Sequence, residues 1–207
     1  WSKEAYFNLY KKENKNDLKK FLEVLNSSKH DPKKFKILQS YLDEDYIGRY
    51  LAYNFLARNY HATRFHNNRI IMDPWKGQIF PVITDPGFDI DTNSKFDHSA
   101  NDLTSILNQN SKFIDLKYYY LKKFLFEEKI IDEEVVYLNQ KKQDIINVMQ
   151  KDPIFINITP EIFSKNKNYE IIESAIENLK NRKKTLISEL RKIPNVFWSN
   201  TKKNFSI

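Results

Sequence analysis

The sequence predicts an α+β protein that is mainly α-helical and built around one central β-hairpin. Three observations lead there. Only 3 of the 207 residues are glycine, too few for a sandwich or barrel with many tight turns. Apolar residues recur at spacings of three and four over most of the chain, the period of an amphipathic helix. One window, residues 69–84, breaks that period into two short apolar runs separated by turn residues.

The elements follow in order. Residues 1 to about 60 read as helices. In NDLKKFLEVLNSS, Leu18, Phe21, Leu22 and Leu25 fall at helical spacing, with Asp17 near the N-cap. Asp31-Pro32 breaks the pattern, and a second helix follows in LDEDYIGRYLAYNFLARNYH, with Ile47, Tyr50, Leu51 and Phe55 on one stripe. Asp43, Glu44 and Asp45 gather at its start, where the helix dipole favours negative charge. RIIM and QIFPVIT, joined through Asp73-Pro74 and Gly77, predict the hairpin. Pro81 makes its second strand an edge or irregular strand. From about residue 99 helices return. Leu103, Ile106 and Leu107 lead into KFIDLKYYYLKKFLFEEKII, then DEEVVYLNQKKQDIINVMQKD. A last helix carries Ile172, Ile176, Leu179, Leu186 and Leu190. There is no fixed-period repeat and no long linker, so residues 1–207 are expected to form a single mainly helical domain.

Composition narrows the function. With 41% hydrophobic and 29% charged residues, the chain is of the folded rather than the disordered class. The absence of cysteine excludes a disulfide framework, a thiol nucleophile and a Cys-ligated zinc. No apolar run is long enough for a membrane span, and no signal peptide is visible. Because the chain starts at Trp1 rather than methionine, a fragment is expected, with any targeting signal or upstream domain lost. The net charge of +7 points to an anionic partner: nucleotide, nucleic acid, acidic protein or membrane surface. The lysines are nevertheless scattered among Asp and Glu along the helices. A basic nucleic-acid-binding helical domain is therefore the third reading, and nucleic acid is not the expected partner.

Chemistry concentrates around the hairpin. Phosphoryl transfer of the protein-kinase type needs a loop after a helix that supplies a base and an asparagine. A strand pair follows, with an aspartate at its end for the magnesium that bridges the phosphates. The general signature is His-x-Asp, an asparagine five residues past that aspartate, an apolar strand, and Asp-Phe-Gly. Here the order is helix, His61-Ala62-Thr63, Asn68, RIIM, turn, FPVIT, and Asp85-Pro86-Gly87. Asn68 stands five residues after Thr63, and threonine occupies the place of the base aspartate.

At Asn59-Tyr60-His61, Phe65-His66-Asn67-Asn68-Arg69-Ile70, Asp73-Pro74, Gly77 and Pro81-Val82-Ile83-Thr84-Asp85, the chain resembles the CotH family of atypical, secretory-type protein kinases, first described from bacterial spore coats. The likeness runs over roughly residues 38–190, with its specific part in about 30 residues around the hairpin. It implies a protein-kinase-like C-terminal lobe and ATP- and Mg-dependent (or Mn-dependent) phosphorylation of protein Ser or Thr. It also implies a coat or surface protein as partner, and a spore coat, cell envelope or secreted location. Carried over by position, Asp85 is the metal ligand and Asn67 or Asn68 the loop asparagine that also holds metal and nucleotide. The His-Asn pattern favours Asn67, and the kinase count favours Asn68. The loop aspartate of the family falls at or near Thr63, and no aspartate occurs from Asn59 to Ile71. His61 is the nearest substitute base. The nucleotide-binding lobe with its lysine should precede the first helices and is not seen. A positioned base contributes about 10²–10⁴-fold, so its loss weakens turnover without abolishing it; a pseudokinase-like interaction module is the second reading.

Plainer roles compete at each position. Asp85 before Pro-Gly also suits turn organisation. Asn67 and Asn68 also suit helix capping, and Asp89 and Asp91 also suit a solvated segment rather than a second metal. His61 and His66 are five apart, outside the spacing of a helical zinc pair. Tyr118, Tyr119 and Tyr120 suit a core and boundary stripe better than a base-stacking platform. Arg182, Lys183 and Lys184 read as a solvated helix face.

Overall fold

The computed structural model describes residues 16–57, 69–73, 75–83, 99, 101–151 and 165–192. Over these residues it is mainly helical with a small antiparallel sheet, as the periodicities require. The described residues up to Leu121 belong to one compact unit and those from Lys122 onward to a second.

The first unit opens with α1 (Asn16–Ser28), which carries Asp17 in its first turn and buries Phe21, Leu25 and Ser28 along one stripe. Leu22, expected on that stripe, is 41% exposed, because it sits one position round from the Phe21–Leu25 line. α1 packs on α2 (Pro32–Ser40). Asp31 caps α2, its Oδ1 accepting from the amide of Lys33 at 2.8 Å, and Pro32 fills the first turn, where its missing N–H leaves nothing unpaired. In α3 (Glu44–Ala57) the expected stripe is real: Ile47, Tyr50 and Leu51 are buried and Phe55 is half-buried. Asp43 Oδ1 accepts from the Tyr46 amide at 3.0 Å and so caps it.

Strands β1 (Arg69–Asp73) and β2 (Gln78–Val82) form the hairpin, with Arg69 opposite Val82 and Asp73 opposite Gln78. Asp73 organises the turn: its Oδ1 accepts from the amides of Trp75 (2.9 Å) and Lys76 (3.1 Å). Gly77 then takes φ +64°, a conformation that side chains disfavour. Pro81 sits as expected on an edge. The Ile79 amide donates outward to the Tyr41 carbonyl at 2.7 Å, so a residue two further on also aims its nitrogen away from β1, and proline there removes no ladder bond.

α4 (Asp102–Leu107) starts with a capping box between Asn101 and Thr104. α5 (Ser111–Lys122) buries Phe113, Leu116, Lys117, Tyr120 and Leu121. The stripe reading of the tyrosines is upheld, with Tyr120 buried and Tyr118 and Tyr119 half-buried.

The second unit begins with a π-helical turn, Lys123–Glu127, closed by the Glu128 amide on the Lys123 carbonyl at 2.9 Å. The continuous helix expected through FEEKII is thereby interrupted at Lys129, whose φ of +52° is left-handed. α6 (Ile130–Met149) then pairs with α7 (Lys165–Lys192) around Ile146, Ile172 and Ile176. Leu179, Leu186 and Leu190 extend the buried stripe of α7, as predicted. Two ion pairs hold one antiparallel register. Lys142 meets Glu173 and also lies over the Tyr169 ring. Ten residues back along α6 and ten forward along α7, Lys183 donates to Asp132 at 2.6 Å. The solvated-face reading of residues 182–184 is corrected here. Arg182 is buried and Lys183 is half-buried and paired, because position 182 falls on the line from Leu179 to Leu186. Lys184 alone is exposed as expected.

Candidate functional site

The predicted site residues His61, Thr63, Asn67, Asn68 and Asp85 lie outside the described residues, as do His66, Asp89 and Asp91. What the structure does describe is the frame that carries the two segments holding them.

That frame joins the hairpin to α3. The Tyr46 hydroxyl donates to the Pro81 carbonyl at 2.8 Å, and its ring meets Phe80 edge-on at 5.1 Å. Leu42 bridges Ile79, which is fully buried. The strand that leads to Asp85 is therefore fastened to the start of the helix whose far end leads to His61. Burial pushes the Tyr46 hydroxyl above its ordinary range, keeping it a donor.

A buried polar cluster lies among the helices of the same unit. Tyr50 on α3 is 3% exposed; burial raises its hydroxyl pKa, against hydrogen bonds with the side chains of Asn101 and Asn54 that lower it. Asn54 Nδ2 donates to the Tyr50 carbonyl at 2.8 Å. Lys117 on α5 is 2% exposed. Its Nζ donates to Asn108 Oδ1 at 3.0 Å, and Asn108 Nδ2 donates to Ser99 Oγ at 3.0 Å. The ammonium also faces the rings of Tyr118 (5.1 Å) and Phe55 (6.0 Å). This buried lysine, which donates to an amide and faces two rings, is a feature that the sequence reading did not single out. One signal was available: Lys117 lies four residues after Phe113 and four before Leu121, in the middle of an apolar stripe.

Asp115, also on α5, has a buried Oδ1 without a hydrogen-bond partner. Burial raises its carboxyl above the ordinary value of 3.8. A raised folded-state pKa contributes stability that is complete below the ordinary value and lost as pH climbs through the folded one. At neutral pH the ionised carboxylate is therefore a net burden. Asp115→Asn is expected to raise stability at neutral pH, with the advantage vanishing below about pH 3.8. Urea midpoints at the two pH values measure this; an Asn variant no more stable at neutral pH would contradict it.

Among the described residues no group of three or more His, Asp or Glu side chains could hold a metal ion. Nor is any described helix long and apolar enough to cross a membrane. In comparisons with known proteins, no family model, curated protein or solved structure matches this chain.

Proposed function

We propose that the stretch from His61 to Asp85 is the phosphoryl-transfer site of a CotH-like atypical protein kinase with a kinase-like C-terminal lobe. Its reaction is ATP- and Mg-dependent (or Mn-dependent) transfer to Ser or Thr of a protein substrate. In this reading Asp85 binds the metal, and Asn67 or Asn68 supplies the second ligand. His61 is the nearest group to take the base role left by Thr63. One observation supports the reading most. Arg69 and Val82 are paired, so the strand ends leading to Asn68 and Asp85 leave the hairpin side by side, on a frame fastened to α3. The chemistry needs a loop asparagine and a metal-binding aspartate brought in by the two ends of one strand pair, and this register is compatible with that need.

Thr63 favours a second reading, in which the fold is kept as a non-catalytic interaction module. Losing a positioned base lowers turnover by about 10²–10⁴-fold without removing metal-nucleotide binding. Calorimetric titration with ATP in the presence of Mg or Mn, with Asp85→Ala alongside, separates these outcomes. Metal-dependent binding that disappears in Asp85→Ala is expected. Binding in the intact protein that survives Asp85→Ala would move the site elsewhere, and no binding at all would leave the interaction module.

A further inference from the structure

The outer face of α6 carries a stripe of residues that its contact with α7 does not use. Glu134, Tyr137, Lys141, Asp144, Val148 and, in the turn that follows, Lys151 succeed one another at alternating spacings of three and four. All six are exposed, Tyr137 at 54% and Val148 at 67%. Between Tyr137 and Val148 the surface forms a shallow groove of about 350 Å³, lined also by Lys141, Asp144 and Ile145. Such spacing marks one face of a helix; four of the six residues on this face are charged, and the large aromatic and the valine among them gain by being covered.

The order of charges along the stripe selects what covers it. Consider a second copy of the same helix laid antiparallel, with the two-fold axis passing between Lys141 and Asp144. Lys141 then faces Asp144 of the second copy, Tyr137 faces Val148, and Glu134 faces Lys151. Each layer is complementary, and symmetry repeats it. A parallel pairing would instead set Glu134, Lys141 and Asp144 each against its own like charge. Sliding the antiparallel pairing by one heptad sets Glu134 against Asp144, or Lys141 against Lys151. The stripe therefore favours one register and opposes its neighbours. Within one chain Lys141 pairs with Asp144 at 3.4 Å, but their side chains are 49% and 69% exposed, so little is lost in exchanging partners.

We propose that the outer stripe of α6 is a self-association surface, through which two copies of this chain pair α6 against α6 as antiparallel helices. The contact is one helix face, at the small end of protein interfaces, so the dimer is concentration-dependent and weakened by salt. The test is sedimentation equilibrium of the full chain at low salt, from micromolar to roughly millimolar concentration. Wild type is compared with Lys141→Glu, Asp144→Lys and the double exchange. Circular dichroism checks that helix content is unchanged at these exposed positions. Each single reversal sets like charges together twice per dimer and is expected to weaken association by at least about tenfold; the double exchange restores it. A wild-type chain that stays monomeric over the whole range overturns the proposal. So does a dimer indifferent to the single reversals, or a double exchange no tighter than either single change.

Discussion

Gly48→Val is expected to destabilise the first unit by more than about 3 kcal/mol, beyond the usual range for overpacking. Gly48 lies mid-helix on α3, where alanine would ordinarily be better by about 1 kcal/mol. A Cβ at that position would stand 2.9 Å from Tyr120 Cδ2, 3.0 Å from Leu116 Cβ and 3.1 Å from Tyr120 Cε2. The Tyr120 ring cannot swing clear without loss. Its hydroxyl bonds the Asp45 carboxylate, and Arg49 lies 4.9 Å from its centroid, itself paired to Asp45 at 3.0 Å. Gly48→Ala therefore sets the helix-propensity gain against a clash of about 1–3 kcal/mol, and a modest net loss is expected. Valine adds two methyl groups to the same contact. Urea denaturation of the three proteins measures the series. An alanine variant stabilised by the full propensity increment would show that the helices do not approach this closely. Under the proposed function the change would also reach the site, since α3 carries the chain into the segment that holds His61 and Thr63.

Phe113→Ala should lower stability by about 3–5 kcal/mol, the range for removing a buried aromatic side chain. Phe113 has no exposed surface and meets Phe35 of α2 edge-on at 6.3 Å. Removing it opens a cavity between α5 and α2 and takes away the aromatic pair as well. Trp75→Ala is the matching control. Trp75 is larger, yet it is 92% exposed at the hairpin tip, and its loss is expected to change stability by under about 0.5 kcal/mol. Equal effects from the two substitutions would mean that burial is not what sets their contributions.

Much of the fold was legible before any coordinates, because it rests on local rules. From the sequence Asp31-Pro32 reads only as a break; in the structure it starts α2, where a short carboxylate side chain caps and a proline fills the first turn. The hairpin reads from Asp73 and Gly77, whose residue types suit an Asx turn and a positive φ. The candidate site was legible only as an order of parts: His61, Thr63, Asn67, Asn68 and Asp85 at kinase-like spacing around that hairpin. Spacing along a chain does not say whether side chains converge, and here those residues fall outside the described part of the fold.

The sequence by itself determined the helical character, the hairpin, the acidic start of α3 and the apolar stripe of α7, each the outcome of interactions within a few residues. Only the tertiary structure decided the rest. It made Gly48 the point of close approach between α3 and α5, and it turned Lys117 inward against Asn108. It drew Arg182 and Lys183 into the α6–α7 contact rather than leaving them in solvent. It also left Leu22 and Trp75 outside, although both are apolar. The physical reason is the same in each case. Local energetics fix which residues share a helix face, but the environment of that face is set by whatever distant segment packs against it.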